Sequence, residues 1–181
     1  PMIVSPVTPT PPAYQRLATL PPGVLLEIPG GLVDSKTEGF GATNSSITGG
    51  YKLCLQVEHQ HPRTGGVASR IPLRTYRAFL EAPVMGDILT RTSAGRSYRV
   101  WGDDGPRRVV SRLPAYDDAT MRAFFDLFHV RYVIVDSAID VTLGEEVEAM
   151  FGSWIQDRVQ FGPMTLLTLV DRDRVALVGL P

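Results

Sequence analysis

The stretch HQHPRTGGVASR, residues 59–70, sets two of the chain's three histidines beside Arg63, Arg70 and a glycine pair. Side chains of these types do a short menu of chemistry. If the segment is a strand, His59 and His61 lie on one face, as two metal ligands would, and either ring could serve as a general base. The guanidinium groups can donate paired hydrogen bonds to phosphate or carboxylate, and Gly65-Gly66 could bring main-chain amides close to an anion. A metal site, however, needs a third and usually a fourth ligand. No second His-rich or Cys-rich motif is present, and His129 lies far off in the sequence. Ser69 stands outside any strand-elbow-helix glycine signature, and Cys54, the single cysteine, reads as a buried structural thiol. No phosphate-cradling loop of the Walker or dinucleotide kind occurs. The acidic pairs Asp103-Asp104, Asp117-Asp118 and Glu145-Glu146 read as a turn, a helix start and a helix face, all solvated. The expectation is no catalytic residue, no bound metal and no cofactor. A stand-alone hydrolase or metal-dependent enzyme built on His59 and His61 is the alternative.

The composition describes what must position these groups. A chain of 181 residues, 44% apolar and 20% charged, has the make-up of one folded domain. Eighteen basic against nineteen acidic residues leave a net charge of −1, without the basic field of a nucleic-acid binder, so no nucleic-acid partner is expected. No apolar run approaches the roughly 20 residues needed to cross a bilayer. Residues 1–12 are rich in proline and read as an extended linker, which leaves residues 13–181 as the domain.

Along that domain a short helix is predicted over Ala13 to Thr19, followed by a PPG turn and a buried strand, VLLEIP, at 24–29. Residues 30–50 are loop-like, and Asn44-Ser45-Ser46 within them matches the glycosylation acceptor pattern. From Tyr51 the spacing fits both strand and helix. Leu73, Tyr76, Phe79 and Leu80 share a helical face that Pro83 and Gly86 interrupt, and GDDGP suggests a hairpin between 98 and 110. Asp117 and Asp118 mark a helix start, His129 its close, and RYVIVD, 131–136, a strong strand. A second amphipathic helix carries Leu143, Val147, Met150, Phe151 and Trp154. VQF-GP-MTLLTLV reads as a hairpin, and RVALVGL as a last strand. The pattern predicts an α/β fold: a single domain with a mixed β-sheet, covering helices and C-terminal hairpins.

Three segments, taken in order, resemble the extracytoplasmic C-terminal domain of bacterial polytopic membrane glycosyltransferases of the C type, related to protein mannosyltransferases and arabinosyltransferases. AYQRLATLPPGVLLEIPG resembles the segment that leaves the last membrane helix. QVEHQHPRTGGVASR resembles the family's run at Gln56, His59, Pro62, Gly65, Gly66, Ser69 and Arg70, and departs from it at Gln60, His61 and Val67. FFDLFHVRYVIVD resembles the family's helix and strand, with His129 where glycine is usual. The resemblance spans about residues 13 to 170. It implies a helix at about 47 to 60 with HPRTGG as its exit and Pro62, Gly65, Gly66 and Ser69 as its turn.

It further implies that sugar transfer from a polyprenyl-phosphate donor is carried out by carboxylates elsewhere in the parent protein. This chain would then be an accessory, non-catalytic domain on the extracytoplasmic side, partnered by the transmembrane part of the same protein. Gln56, His59, Arg63 and Arg70 are the candidates for contacting a lipid-linked sugar or the acceptor. The structural alternative has Gln56 and His59 satisfying loop carbonyls and Arg70 paired with a carboxylate. A plain interaction domain of a membrane protein is a third reading.

Overall fold

The computed structural model describes residues 9–29, 32–34, 55–56, 59–64, 66–68, 78–91, 110–138 and 140–170, with 32–34 and 66–68 as main chain. Its elements in chain order are α1 (Pro12–Leu17), β1 (Val24–Ile28), β2 (Leu32–Asp34), β3 (Gly66–Ala68), α2 (Met85–Arg91), α3 (Asp118–Phe128), β4 (Val130–Asp136), α4 (Leu143–Phe151), β5 (Ile155–Phe161) and β6 (Met164–Leu169), with a 3-10 turn at Gly152–Trp154 before β5. None of the described helices is long and apolar enough to cross a membrane.

A four-stranded sheet runs in the order β1-β4-β6-β5, parallel between β1 and β4 and antiparallel elsewhere. It is the mixed, helix-covered sheet that the pattern predicts. β4 lies inside the sheet because VRYVIVD is β-branched and apolar on both faces, as a strand with cover on each side must be. The predicted hairpin is β5–β6, turned at Gly162-Pro163, where Gly162 adopts a φ of +59°.

Strand alternation divides the core in two. Leu26 and Ile28 of β1, Val133 and Val135 of β4, and Leu167 and Leu169 of β6 face a large cluster closed by α2, α3 and α4. The opposite face carries Leu25, Tyr132, Ile134 and Leu166, covered by Ala13, Tyr14 and Leu17 of α1 and by Leu55. Each fully buried Leu or Ile contributes about 1.5–3 kcal/mol relative to an exposed one, so the smaller cluster is substantial for one short helix.

Helix α3 follows its sequence signals closely. The Asp117 carboxylate caps it by accepting a 2.7 Å hydrogen bond from the Thr120 N–H, and this bond holds the Asp117 carboxyl below its usual range. His129 ends the helix in the left-handed conformation, φ 51°, while its N–H bonds the Phe125 carbonyl. At Gly86, the predicted interruption is a close approach of main chains: a Cβ there would lie 2.1 Å from the Leu80 carbonyl oxygen. Gly86→Ala is therefore expected to cost about 1–3 kcal/mol through overpacking, read as a lower midpoint in denaturant.

The acidic pair in α4 needs a correction. Glu145 is exposed, but Glu146 is only 7% exposed, and its carboxylate takes a two-pronged bond from Arg91, with Nε and Nη2 each at 2.8 Å. Helical spacing places Glu146 with Leu143, Val147 and Met150 on the buried face, where a solvated carboxylate is impossible. The Leu113 N–H at 3.0 Å and the Thr142 hydroxyl at 3.1 Å add to its partners, and Asp140 joins Arg91 at 2.9 Å. The network links α2, the chain at 113 and α4.

Other sequence expectations meet a different structure or fall outside the described residues. Residues 32–34, read as loop, form β2, which pairs in parallel with β3, so Gly66 lies in a strand and not in a turn. Cys54, Gly65, Ser69, Arg70, Asp103, Asp104, the hairpin over 98–109, the acceptor pattern at Asn44 and the strand RVALVGL lie outside the described residues, as do residues 1–8 of the linker.

Candidate functional site

Residues 59–64 form a strap that binds α1 to the sheet. Leu55, Gln56 and His59 are helical, and the Gln60 N–H bonds the Gln56 carbonyl at 2.8 Å as one more helical turn. Gln60 then takes a φ of +57°, which ends the helix and reverses the chain, much as glycine or asparagine would. The two histidines are therefore not alternate residues of a strand. Their rings lie 5.8 Å apart and tilted, and the His61 N–H donates to His59 Nδ1 at 3.0 Å. That bond makes Nδ1 an acceptor and places the ring proton of a neutral His59 on Nε2.

Beyond the reversal, the chain lies alongside β1 and bridges Leu25 in parallel through Arg63. The Leu25 N–H donates to the Pro62 carbonyl at 2.7 Å, and the Thr64 N–H to the Leu25 carbonyl at 3.0 Å. The Gln56 amide donates to the His61 carbonyl at 3.3 Å, holding a loop carbonyl in place.

His61 is 3% exposed, and each of its ring nitrogens faces a main-chain carbonyl at 3.0 Å: Nδ1 that of Gly23, Nε2 that of Leu17. Carbonyls accept only from N–H, so the ring serves both in its doubly protonated form and one of them in either neutral tautomer. A nitrogen that donates in this way has no lone pair for a metal. The Leu17 carbonyl belongs to the end of α1, and the Gly23 carbonyl to the start of β1.

The intervening turn contains Pro21 and Pro22, which have no N–H, and its carbonyls are taken by side chains of β4. The Tyr132 hydroxyl donates to Pro21 at 2.7 Å, and the Arg131 guanidinium to Pro22 at 3.3 Å. Gly23 is required here, because a Cβ would lie 2.6 Å from the Arg131 side chain and 2.9 Å from the Tyr132 ring. Removing the clamp by His61→Ala is expected to cost about 1–3 kcal/mol from the stranded carbonyls. It should also speed amide exchange at Ala18 and Leu20 while leaving β6 unchanged.

At the centre lies Glu27, 5% exposed, on the face of β1 that also carries Leu25. Its Oε1 accepts from the Tyr14 hydroxyl of α1 at 2.5 Å, and its Oε2 is ion-paired with Arg63 Nη2. A carboxylate this deep persists because a cation and a hydroxyl compensate its lost hydration. Burial, and next the charge of Glu27, push the Tyr14 hydroxyl far above its ordinary range. Tyr14 thus stays protonated and donates. The Tyr14 and His59 rings stack at 5.8 Å, and His61 meets Tyr132 edge-on at 5.1 Å.

Of the residues singled out from the sequence, Gln56, His59, Pro62 and Arg63 come together in this strap, joined by His61. Arg63 makes the carboxylate pair expected of Arg70. Tyr14, Glu27 and Tyr132 were not anticipated. The available signal was an acid inside an apolar strand, since a charged residue at a buried register must find a partner. Among the described residues no group of three or more His, Cys, Asp or Glu is placed to hold a metal ion. No family model, no curated protein and no solved structure matches the chain.

Proposed function

We propose that the chain is an accessory, non-catalytic domain on the extracytoplasmic side of a bacterial membrane glycosyltransferase-like protein, contacting the lipid-linked sugar or the acceptor while catalysis occurs in the transmembrane part of the same protein. One observation carries the non-catalytic half of this reading. The groups with chemical potential in the strap hold α1, the proline turn and β1 together: His61 faces two carbonyls, and Glu27 holds Tyr14 and Arg63. A general base needs a lone pair aimed at a substrate proton, whereas the His61 ring faces its own main chain and the Glu27 carboxylate faces Tyr14 and Arg63. The family assignment is supported by the ordered resemblance of the three sequence segments.

Two readouts test the proposal. Coding sequence on the N-terminal side should encode many apolar spans and an early acidic external loop; a complete open reading frame without such spans would contradict it. Purified chain should turn over neither glycoside, ester nor phosphate-ester substrates, with or without added divalent metal. Turnover that disappears in His61→Ala would favour a stand-alone enzyme instead.

A further inference from the structure

The His61 ring is wedged between two main-chain oxygens, Gly23 O at 3.0 Å from Nδ1 and Leu17 O at 3.0 Å from Nε2, with 3% of the residue exposed. The imidazolium donates to both. Either neutral tautomer instead sets a nitrogen lone pair against a carbonyl oxygen, and burial leaves little water to part them. Ring and oxygens therefore fit together in the charged form.

The surroundings decide what that charge meets. The Leu17 carbonyl stands at the C-terminal end of α1, where main-chain oxygens favour a cation, and it also accepts from the Leu20 N–H at 2.9 Å. Among the described residues, the ionisable groups on the elements around the ring are Tyr14 of α1, Glu27 of β1, Arg131 and Tyr132 of β4, and His59 and Arg63 of the strap. Glu27 and Arg63 cancel as an ion pair, and Tyr14 stays protonated on Glu27. His59 accepts the His61 N–H at Nδ1 and is therefore neutral. Tyr132 meets the ring edge-on and donates to Pro21. Arg131 carries like charge, but it is directed to the Pro22 carbonyl and over the Tyr132 ring. The two carbonyls thus hold the second proton on His61, and its loss acts on them directly.

We infer that His61 is a proton-operated clasp: doubly protonated, it ties the end of α1 to the start of β1, and release of one proton lets α1 lift from the sheet. What opens is the face carrying Leu25, Tyr132, Ile134 and Leu166, which α1 covers. In the opened segment a histidine has its ordinary character and is mostly neutral above about pH 6.5. Above that pH the closed state binds up to one proton more than the opened state. Opening therefore grows as the pH rises, by up to about tenfold per pH unit, and acid keeps the clasp shut. The inference stands apart from the reading of the parent protein.

The test is NMR of the intact, nitrogen-labelled chain. At about pH 7.5, where a free histidine is neutral, both His61 ring nitrogens should carry a proton. Protection of the Ala18 and Leu20 amides, corrected for the intrinsic rise of exchange with pH, should fall at least about tenfold between about pH 6.5 and about pH 8.5, while β6 amides keep theirs. His61→Gln donates from a single nitrogen and does not titrate, so its protection at the two amides should not change over that range. A neutral, single-tautomer ring at about pH 7.5 would overturn the inference, as would protection at Ala18 and Leu20 that is flat with pH. So would a fall that persists in His61→Gln, which would place the titrating group elsewhere. Should His61→Gln not fold, the ring nitrogens and the protection of the wild-type chain decide by themselves.

Discussion

Arg63→Met is expected to destabilise the chain by about 3–5 kcal/mol, measured by denaturant unfolding at neutral pH, because it leaves a buried carboxylate without its cation. Glu27 is 3% exposed at its side chain, and of its two compensating partners only the neutral Tyr14 hydroxyl would remain. The loss is a property of the pair and not of the arginine alone. Glu27→Met combined with Arg63→Met should therefore recover most of the stability, since no charge is then buried and methionines fill the space. If the double variant is as unstable as the single one, the ion pair is not the source of the effect, and the strap is held chiefly by His61.

The second large effect lies on the other side of the sheet. Arg91→Met should also cost about 3–5 kcal/mol, for it strands the buried Glu146 carboxylate. This network also sets the acid limit of the fold. The bonds from Arg91 hold the Glu146 carboxyl below its usual range, and those from Thr142 do the same for Asp140. A carboxyl whose folded value is depressed adds stability that is complete above its unfolded value, about 4.3 for glutamate, and lost as the pH falls through the folded value. Stability should thus decline below about pH 4, and the decline should be shallower in Glu146→Gln. A variant with an unchanged acid limb would show that other carboxylates govern acid unfolding.

How far these features could be read from the sequence depends on the range of the signal. RYVIVD and the helix before it carry their information locally, in β-branched residues, an Asp cap and a 3.6-residue stripe, and β4 and α3 lie where that information places them. The hairpin β5–β6 is equally local. By contrast, Glu27 and Glu146 depend on partners 36 and 55 residues away, Arg63 and Arg91. Periodicity names no partner for either acid, so from sequence alone Glu146 reads as solvated, whereas it is buried against Arg91. His61 is a similar case. Its type and spacing raise a metal pair with His59 for which the sequence supplies no further ligands, and its contacts with the carbonyls of Leu17 and Gly23 arise only because α1 folds back over β1. The parallel pair β2–β3 left no trace in a glycine-rich and serine-rich composition, because three-residue strands carry too short a pattern.

Native-state hydrogen exchange at the Leu25 and Thr64 amides tests most directly whether residues 59–64 are a strap that closes α1 onto the sheet. Both amides donate across the junction between that segment and β1. They should be strongly protected in the wild-type chain and lose protection in Arg63→Met and His61→Ala, while the amides of β6 remain slow. Wild-type exchange at these two amides as fast as in a free peptide, or protection unchanged by either substitution, would contradict the account.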